Sequence, residues 1–249
     1  MMLQVQNVSK RFRGLQALND VSFSVEEKQI VGLIGPNGAG KTTLFNVISG
    51  FYQPSGGEIV YKGKQVTALP PFERCALGMA RTFQIMKPLP YMSVLDNVIA
   101  GSMFGRNRSP NVTVAAPHAL GILEVTGLLK KQNVLAKELG TAERKHLELA
   151  RALAAKPDLL LLDEVMSGLN HTETEECLDL IRQINKSGIT ILLIEHIMKA
   201  VVTLCEKIVV LHHGEKIAEG SAQSVMNDQT VIDIYLGKDD DRALTSTVN

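Results

Sequence analysis

The sequence contains no tryptophan, and aromatic residues make up only 4% of it. Its core must therefore be built mainly from aliphatic side chains. Cysteine occurs three times in 249 residues, at Cys75, Cys177 and Cys205. The number is odd, the spacing is wide and no C-x-x-C pair occurs. That pattern points away from a disulfide framework or a metal knuckle and toward reduced thiols in a cytosolic protein. An excess of one charge is missing too: 26 Lys+Arg stand against 26 Asp+Glu. With no global basic field, nucleic acid is not expected as a partner. Apolar runs are short. Ile189 to Ile194, itself interrupted by Thr190, is about as long as they get, far from the ~20 residues of a membrane span. The opening MMLQVQNVSKRF lacks the apolar segment of a signal peptide. What is present, 45% apolar and 21% charged residues, excludes wholesale disorder.

The chain shows no solenoid repeat and no low-complexity linker. Alternation at Leu3 and Val5, then at Val21, Phe23 and Val25, predicts strands. Ile30 to Ile34 reads as a buried strand running into a glycine-rich turn and a helix through Leu44, Phe45, Val47 and Ile48, stopped by Gly50. Gly57 to Gly63 reads as a hairpin strand. From Pro88 to Ala155 the apolar spacing is mostly helical, with Gly105 to Pro110 as a surface loop. Then α/β alternation returns. Strands are expected at Leu159–Leu162, Ile189–Ile194 and Ile208–Leu211, and Thr172 with Glu175 forms a capping-box pattern before a helix through Leu178, Ile181 and Ile184. Apolar strands linked by helices imply a parallel sheet covered on both faces. The end, KDDDRALTSTVN, reads as a frayed polar tail.

Three sequence features carry chemistry. Gly35-Pro36-Asn37-Gly38-Ala39-Gly40-Lys41-Thr42 fits the P-loop pattern G-x-x-x-x-G-K-[ST] between a strand and a helix. Glycines let backbone N–H groups turn toward phosphate oxygens, and the following helix aims its positive end at the same point. Lys41 brings a cation to the β- and γ-phosphates, the Thr42 hydroxyl is placed to hold Mg²⁺, and Thr43 extends the cradle. The second feature is Leu159-Leu160-Leu161-Leu162-Asp163-Glu164, an apolar strand ending in two carboxylates. Asp163 is placed to bind Mg²⁺ through water, and Glu164 to orient or deprotonate an attacking water. The third is His196, which follows a further strand and so falls at the same sheet edge, within reach of a γ-phosphate. The pair His212-His213 reads as a hairpin turn without a site role.

The order of P-loop, helical insertion, apolar-DE strand and strand-then-histidine resembles the ATP-binding subunits of ABC transporters. The resemblance runs from about Leu3 to Gly237. It implies an α/β P-loop NTPase fold of the ABC ATPase type: a mainly parallel core sheet with an antiparallel β subdomain and a helical subdomain. It places the ATPase core in residues 1–87 and 156–237, the helical subdomain in 88–155, and a tail in 238–249. Phe12 matches the aromatic that stacks on adenine. Gln84, in ARTFQ, matches the glutamine loop that senses Mg²⁺ and faces the membrane partner. Ser167-Gly168-Leu169-Asn170 matches the D-loop. The phrases ARTFQ, HLELARAL, SGLN, LLIEH, IVVLHHGEKIAEG and VIDIYLG look like the branched-chain amino-acid importer type. ATP and Mg²⁺ are the implied ligands. The implied partners are membrane permease subunits, a second ABC ATPase subunit and, indirectly, a periplasmic or extracellular substrate-binding protein. The implied place is the cytoplasmic side of the membrane.

One stretch departs from the family. Where LSGGQ is usual, Leu139 is followed by Gly140, Thr141, Ala142 and Glu143. This loop is the one that caps the γ-phosphate of a partner subunit. Gly140 removes a hydroxyl, Ala142 adds a Cβ at a close approach, and Glu143 brings a carboxylate toward phosphates. Thr141 either substitutes a hydroxyl or caps the helix; the cap is the favoured reading. Val165 also replaces the usual proline after Glu164. Other readings are a GTPase, a non-hydrolysing ATP-gated regulatory dimer, and an ABC exporter subunit of the lipopolysaccharide-export type. The GTPase reading is opposed by Asn185-Lys186-Ser187-Gly188, which lacks the aspartate that reads guanine. Intact Lys41, Asp163, Glu164 and His196 oppose the regulatory dimer.

Overall fold

The computed structural model describes residues 1–82, 89–106 and 111–236. Gln84 lies outside them. Two long strands open the chain, β1 (Leu3–Phe12) and β2 (Leu15–Val25), followed by β3 (Ile30–Ile34) and helix α1 (Lys41–Ile48). The hairpin of β4 (Gly56–Tyr61) and β5 (Lys64–Gln65) leads through α2 (Pro71–Ala76) to the short β6 (Met79–Arg81). Three helices come next: α3 (Val94–Phe104), α4 (Val112–Val125) and α5 (Thr141–Ala154). Alternation then resumes with β7 (Leu159–Asp163), α6 (His171–Lys186), β8 (Thr190–Ile194), α7 (Met198–Leu204), β9 (Lys207–His212) and β10 (Glu215–Gly220). Helices α8 (Ala222–Met226) and α9 (Gln229–Leu236) close the described chain.

These strands form two sheets. One is antiparallel, in the order β2-β1-β4-β5. The other runs β10-β9-β3-β8-β7-β6, parallel throughout except for β10 on β9. Every residue of β3, β7 and β8 is buried. Because successive side chains point to opposite faces, a strand without polar alternation must be covered twice. Ile34, Leu160, Leu162, Ile191 and Leu193 pack with α5, α6 and α7. Leu33, Leu161, Leu192 and Ile194 pack with α1 and the antiparallel sheet. A third core joins α3, α4 and α5 through Val98, Ala119, Leu123 and Leu147. Helix α5 serves both neighbours, because Leu149 and Leu153 face the sheet while Leu147 and Ala150 face α3 and α4.

Two local expectations need correction. The capping box of α6 is Asn170 with Glu173, not Thr172 with Glu175. Asn170 Oδ1 accepts the Glu173 N–H at 3.0 Å, and Glu173 Oε2 accepts the Asn170 N–H at 2.9 Å. Two x-x-E patterns overlap here; asparagine is the stronger cap, and Glu175 is engaged by Lys199 at 2.8 Å. Gly105 is not part of a surface loop either. It is buried, and a Cβ there would lie 2.4 Å from the Ala155 backbone. The polar residues that follow Arg106, 107–110, lie outside the described chain.

Candidate functional site

Parallel strands deliver their carboxyl ends to one edge, so the chemistry read separately along the chain converges there. Strand β3 runs into Gly35, β7 ends at Asp163, β8 at Ile194, and β6 at Arg81. The turn after β3 has little room for side chains. Gly35 has φ +150, and a Cβ there would sit 2.1 Å from the Leu211 carbonyl oxygen; Gly40, at φ +102, would meet the Ala17 carbonyl oxygen at 2.8 Å. Over Gly38 there is open space. Helix α1 starts from Gly40 with no side-chain cap, which leaves its first N–H groups directed into the turn. Lys41 is buried, and its ammonium donates to the carbonyls of Gly35 at 2.6 Å and Pro36 at 3.0 Å. Burial lowers the Lys41 pKa, and the charges of Glu164 and Asp163 oppose that shift.

This turn forms the floor of a cleft of about 500 Å³. Asn37, Gly38, Ala39, Gly40, Lys41, Thr42 and Thr43 line it, together with Phe12, Gln16, Glu164 and His213. Phe12 is half-buried and packs edge-on against Tyr52, with ring centroids 5.1 Å apart; the Lys10 ammonium is 5.0 Å from the Phe12 ring. His213 was not expected here. It occupies the β9–β10 turn at φ +47, and the turn is tied to the phosphate loop by the Gly214 N–H donating to the Ala39 carbonyl at 3.0 Å. Only the tertiary fold brings that hairpin to the cleft.

Asp163 is buried at 2% exposure. Its Oδ2 accepts from Arg81 Nη2 at 2.8 Å, while Oδ1 has no hydrogen-bond partner among the described residues. Burial raises the Asp163 pKa, and the Arg81 guanidinium opposes it. Glu164 lies at φ +50, an uncommon conformation for a non-glycine residue. Its N–H donates to the Ile194 carbonyl at 3.0 Å, and its carbonyl accepts from Lys145 Nζ at 3.0 Å. Those two bonds hold the turn that brings Glu164 to the cleft. His196 is exposed and does not line the cleft. The residue before it, Glu195, is buried and accepts the Met166 N–H at 3.0 Å, pinning the loop after Glu164.

Gly140, Thr141, Ala142 and Glu143 do not line this cleft either. Gly140 and Thr141 are exposed. The expected Thr141 cap is not formed. Gly140 is the N-cap of α5, and Thr141 is the first helical residue, one position too late for its hydroxyl to cap. Glu143 closes the helix start instead, accepting the Gly140 N–H at 3.1 Å and pairing with Lys131. The Lys131 contact, first, and the Gly140 N–H hold its carboxyl below the usual range against the effect of burial. No disulfide joins the three cysteines; burial pushes the thiols of Cys177 and Cys205 up to about 12. Among the described residues no cluster of His, Cys, Asp or Glu has the make-up of a metal site built from protein ligands alone.

A turn lined with backbone donors, a buried cation and a helix start suits a polyphosphate. The unpartnered oxygen of Asp163 beside it suits a divalent cation held through water. Comparison with known proteins agrees with that chemistry. The ABC transporter family model matches residues 18–167, and the branched-chain amino acid ATP-binding cassette transporter model matches 215–241. The high-affinity branched-chain amino acid transport ATP-binding protein LivG of Salmonella typhimurium is 38% identical over 250 residues, spanning 95% of this chain and 98% of that one. A crystal structure of a nucleotide-free ATP-binding cassette from an ABC transporter superposes with a TM-score of 0.87 at 32% identity, covering 95% of this chain and 99% of the other. A dimeric bacterial ABC transporter cassette superposes with a TM-score of 0.81 at 25% identity, covering 89% and 99%. The chain belongs to the ABC transporter family of ATP-binding cassettes, on the branch of the branched-chain amino-acid transport ATP-binding proteins.

Proposed function

We propose that this chain hydrolyses ATP to drive an importer for branched-chain amino acids or a related small polar or amide substrate. The observation that carries the reading is the single cleft shared by the phosphate loop, Phe12 and Glu164, in a chain similar to LivG along nearly its whole length. Phe12 presents a ring face to adenine. Lys41 and the N–H groups of the turn bind the phosphates. Mg²⁺, when bound, neutralises charge on the phosphate oxygens. Thr42 and Asp163 are placed to hold it, and Gln84 is assigned there by resemblance. Glu164 accepts the proton of the attacking water, and His196 reaches the γ-phosphate once a closed dimer forms.

Gly140 and the first turn of α5 that follows it, with Gly140 and Thr141 exposed, do not line their own chain's cleft, which supports a site completed by a second ATPase subunit. Membrane permease subunits are the further partners, with a substrate-binding protein acting on the other side. The resemblance assigns the chain a peripheral place on the cytoplasmic face, and among the described residues no helix is long and apolar enough to cross a membrane. A second cleft of about 500 Å³, with exposed Phe51, Phe72 and Phe104 around it, supports docking of a permease segment. The test is reconstitution of the chain with its permeases and second ATPase in vesicles. ATP hydrolysis is expected to accompany uptake of labelled leucine. Hydrolysis with export, or uptake of an unrelated solute, would reject the substrate assignment.

A further inference from the structure

We propose that Arg81 is a positioning residue for the metal site: it holds one oxygen of Asp163 so that the other is presented to Mg²⁺. The inference rests on reading Asp163 as the Mg²⁺ residue. Strand β6 has three residues, in register with β7 as Met79↔Leu159, Ala80↔Leu160 and Arg81↔Leu161. That register sets Arg81 beside the end of β7. The next residue continues the link, because the Thr82 N–H donates to the Leu161 carbonyl at 2.9 Å and Thr82 Oγ1 accepts the Asp163 N–H at 3.1 Å.

The guanidinium spans two elements. Nη2 donates to Asp163 Oδ2 at 2.8 Å. Nη1 donates to Asn46 Oδ1 at 2.6 Å and Ser49 Oγ at 3.1 Å, at the far end of the helix that starts from the phosphate loop. The Phe45 ring lies 5.6 Å from its centre. The side chains of the pair are 7% and 1% exposed. A buried ion pair is an inefficient way to stabilise a fold, since desolvation offsets most of the attraction. It is an efficient way to fix a direction, because the planar fork reads two partners at once. Asp163 Oδ1 is buried and without a partner among the described residues. A carboxylate held by one oxygen with the other unused matches an outer-sphere ligand oriented by its neighbour. Arg81 also lines the second cleft, so one side chain reaches from that cleft to the metal site.

The experiment titrates a fluorescent ATP analogue into the full chain, in EDTA and across a Mg²⁺ series, for the parent, R81M and R81K. Losing an outer-shell partner typically weakens metal binding about 10–100-fold. R81M should therefore need at least about tenfold more Mg²⁺ for half-maximal effect, while its affinity in EDTA stays within about twofold of the parent. R81K should fall between them, because a point charge cannot hold Asp163 and Asn46 together. If R81M fails to melt cooperatively, N46A takes its place; it keeps the ion pair but removes one anchor. It should raise the Mg²⁺ requirement severalfold at a near-parental melting temperature. A folded R81M, or N46A in its stead, with the parental Mg²⁺ requirement overturns the proposal. A parent whose nucleotide binding ignores Mg²⁺ overturns the metal reading of Asp163, and the role of Arg81 with it.

Discussion

Two acidic residues near the cleft are held in different ways, and each leads to a measurable outcome. Glu164 reaches the cleft through a turn at φ +50, fixed by Ile194 and Lys145. Glu164→Gln keeps the shape and removes the proposed base. Hydrolysis should fall by ~10²–10⁴ while ATP binding persists; hydrolysis at the parental rate would exclude Glu164 as the base. Glu195 is buried with Oε2 unpartnered among the described residues, and burial raises its pKa above the ordinary value of 4.5, against the Met166 N–H. A raised folded pKa means the protonated form is favoured in the fold. Its contribution is full below about 4.5, the unfolded value, and is lost as pH rises through the folded value. Glu195→Gln removes that loss. The melting temperature of the variant relative to the parent should therefore rise between pH 4.5 and 8. A flat difference would show that Glu195 has its ordinary pKa in the fold.

At the scale of elements, the phosphate-loop helix α1 is only eight residues long and owes its far end to another element. Arg74 of α2 is 1% exposed. Its Nη1 donates to the last carbonyls of α1, Val47 at 2.8 Å and Ile48 at 2.6 Å. Its Nε and Nη2 donate to the Leu69 and Thr67 carbonyls at 2.9 and 2.8 Å. Burial lowers its pKa to about 10, so it remains a cation at neutral pH. Arg74→Met deletes those donors and leaves buried carbonyls without them. The loss should be on the order of 3 kcal/mol: bonds to charged groups are each worth roughly 1.5–3 kcal/mol, and relief of the buried guanidinium's desolvation offsets much of their sum. Urea unfolding checks it; a midpoint unchanged from the parent would mean water replaces the guanidinium.

For the whole molecule, the consequence concerns pairing. This chain carries an intact phosphate loop and carboxylates but an altered stretch at 140–143, which does not line the cleft of the phosphate loop. In a pair with a related but non-identical ATPase, one composite site would join this chain's phosphate loop to the partner's intact loop. The other would depend on Gly140, Thr141, Ala142 and Glu143. Weak ATPase activity is expected for the isolated chain and rescue by the partner. Lys131 already answers the charge of Glu143, so the missing hydroxyl at 140 and the Cβ of Ala142 are the larger defects. A side chain at 140 has room, its Cβ lying 3.8 Å from Glu143 Oε2. Restoring Ser at 140 and Gly at 142 should therefore raise turnover of the isolated chain; Ser at 140 should cost no melting temperature, while Gly at 142, in the first turn of α5, should cost roughly 0.5–1 kcal/mol. Full transporter turnover by the unmodified chain alone would refute the asymmetry.

The sequence by itself determined the buried strands β3, β7, β8 and β9 of the central sheet and the phosphate loop, but not the short edge strand β6. Strands β3, β7 and β8, apolar but for Thr190 and the terminal Asp163, must be covered on both faces, and the spacing of Gly35, Gly40 and Lys41 is a local backbone requirement. Asp163 and Glu164 were legible for the same reason, since a strand end locates them. Caps were legible only as a choice between overlapping patterns, and Asn170 prevailed because the competing Glu175 had another partner. Residues whose role is a long-range contact carried no local signal. Arg81 reaches Asp163 across 82 positions, Arg74 reaches Val47 across 27, and His213 meets the phosphate loop only because β9 pairs with β3. Those roles depend on strand order and on which helix covers which face, and only packing of the whole chain decides either.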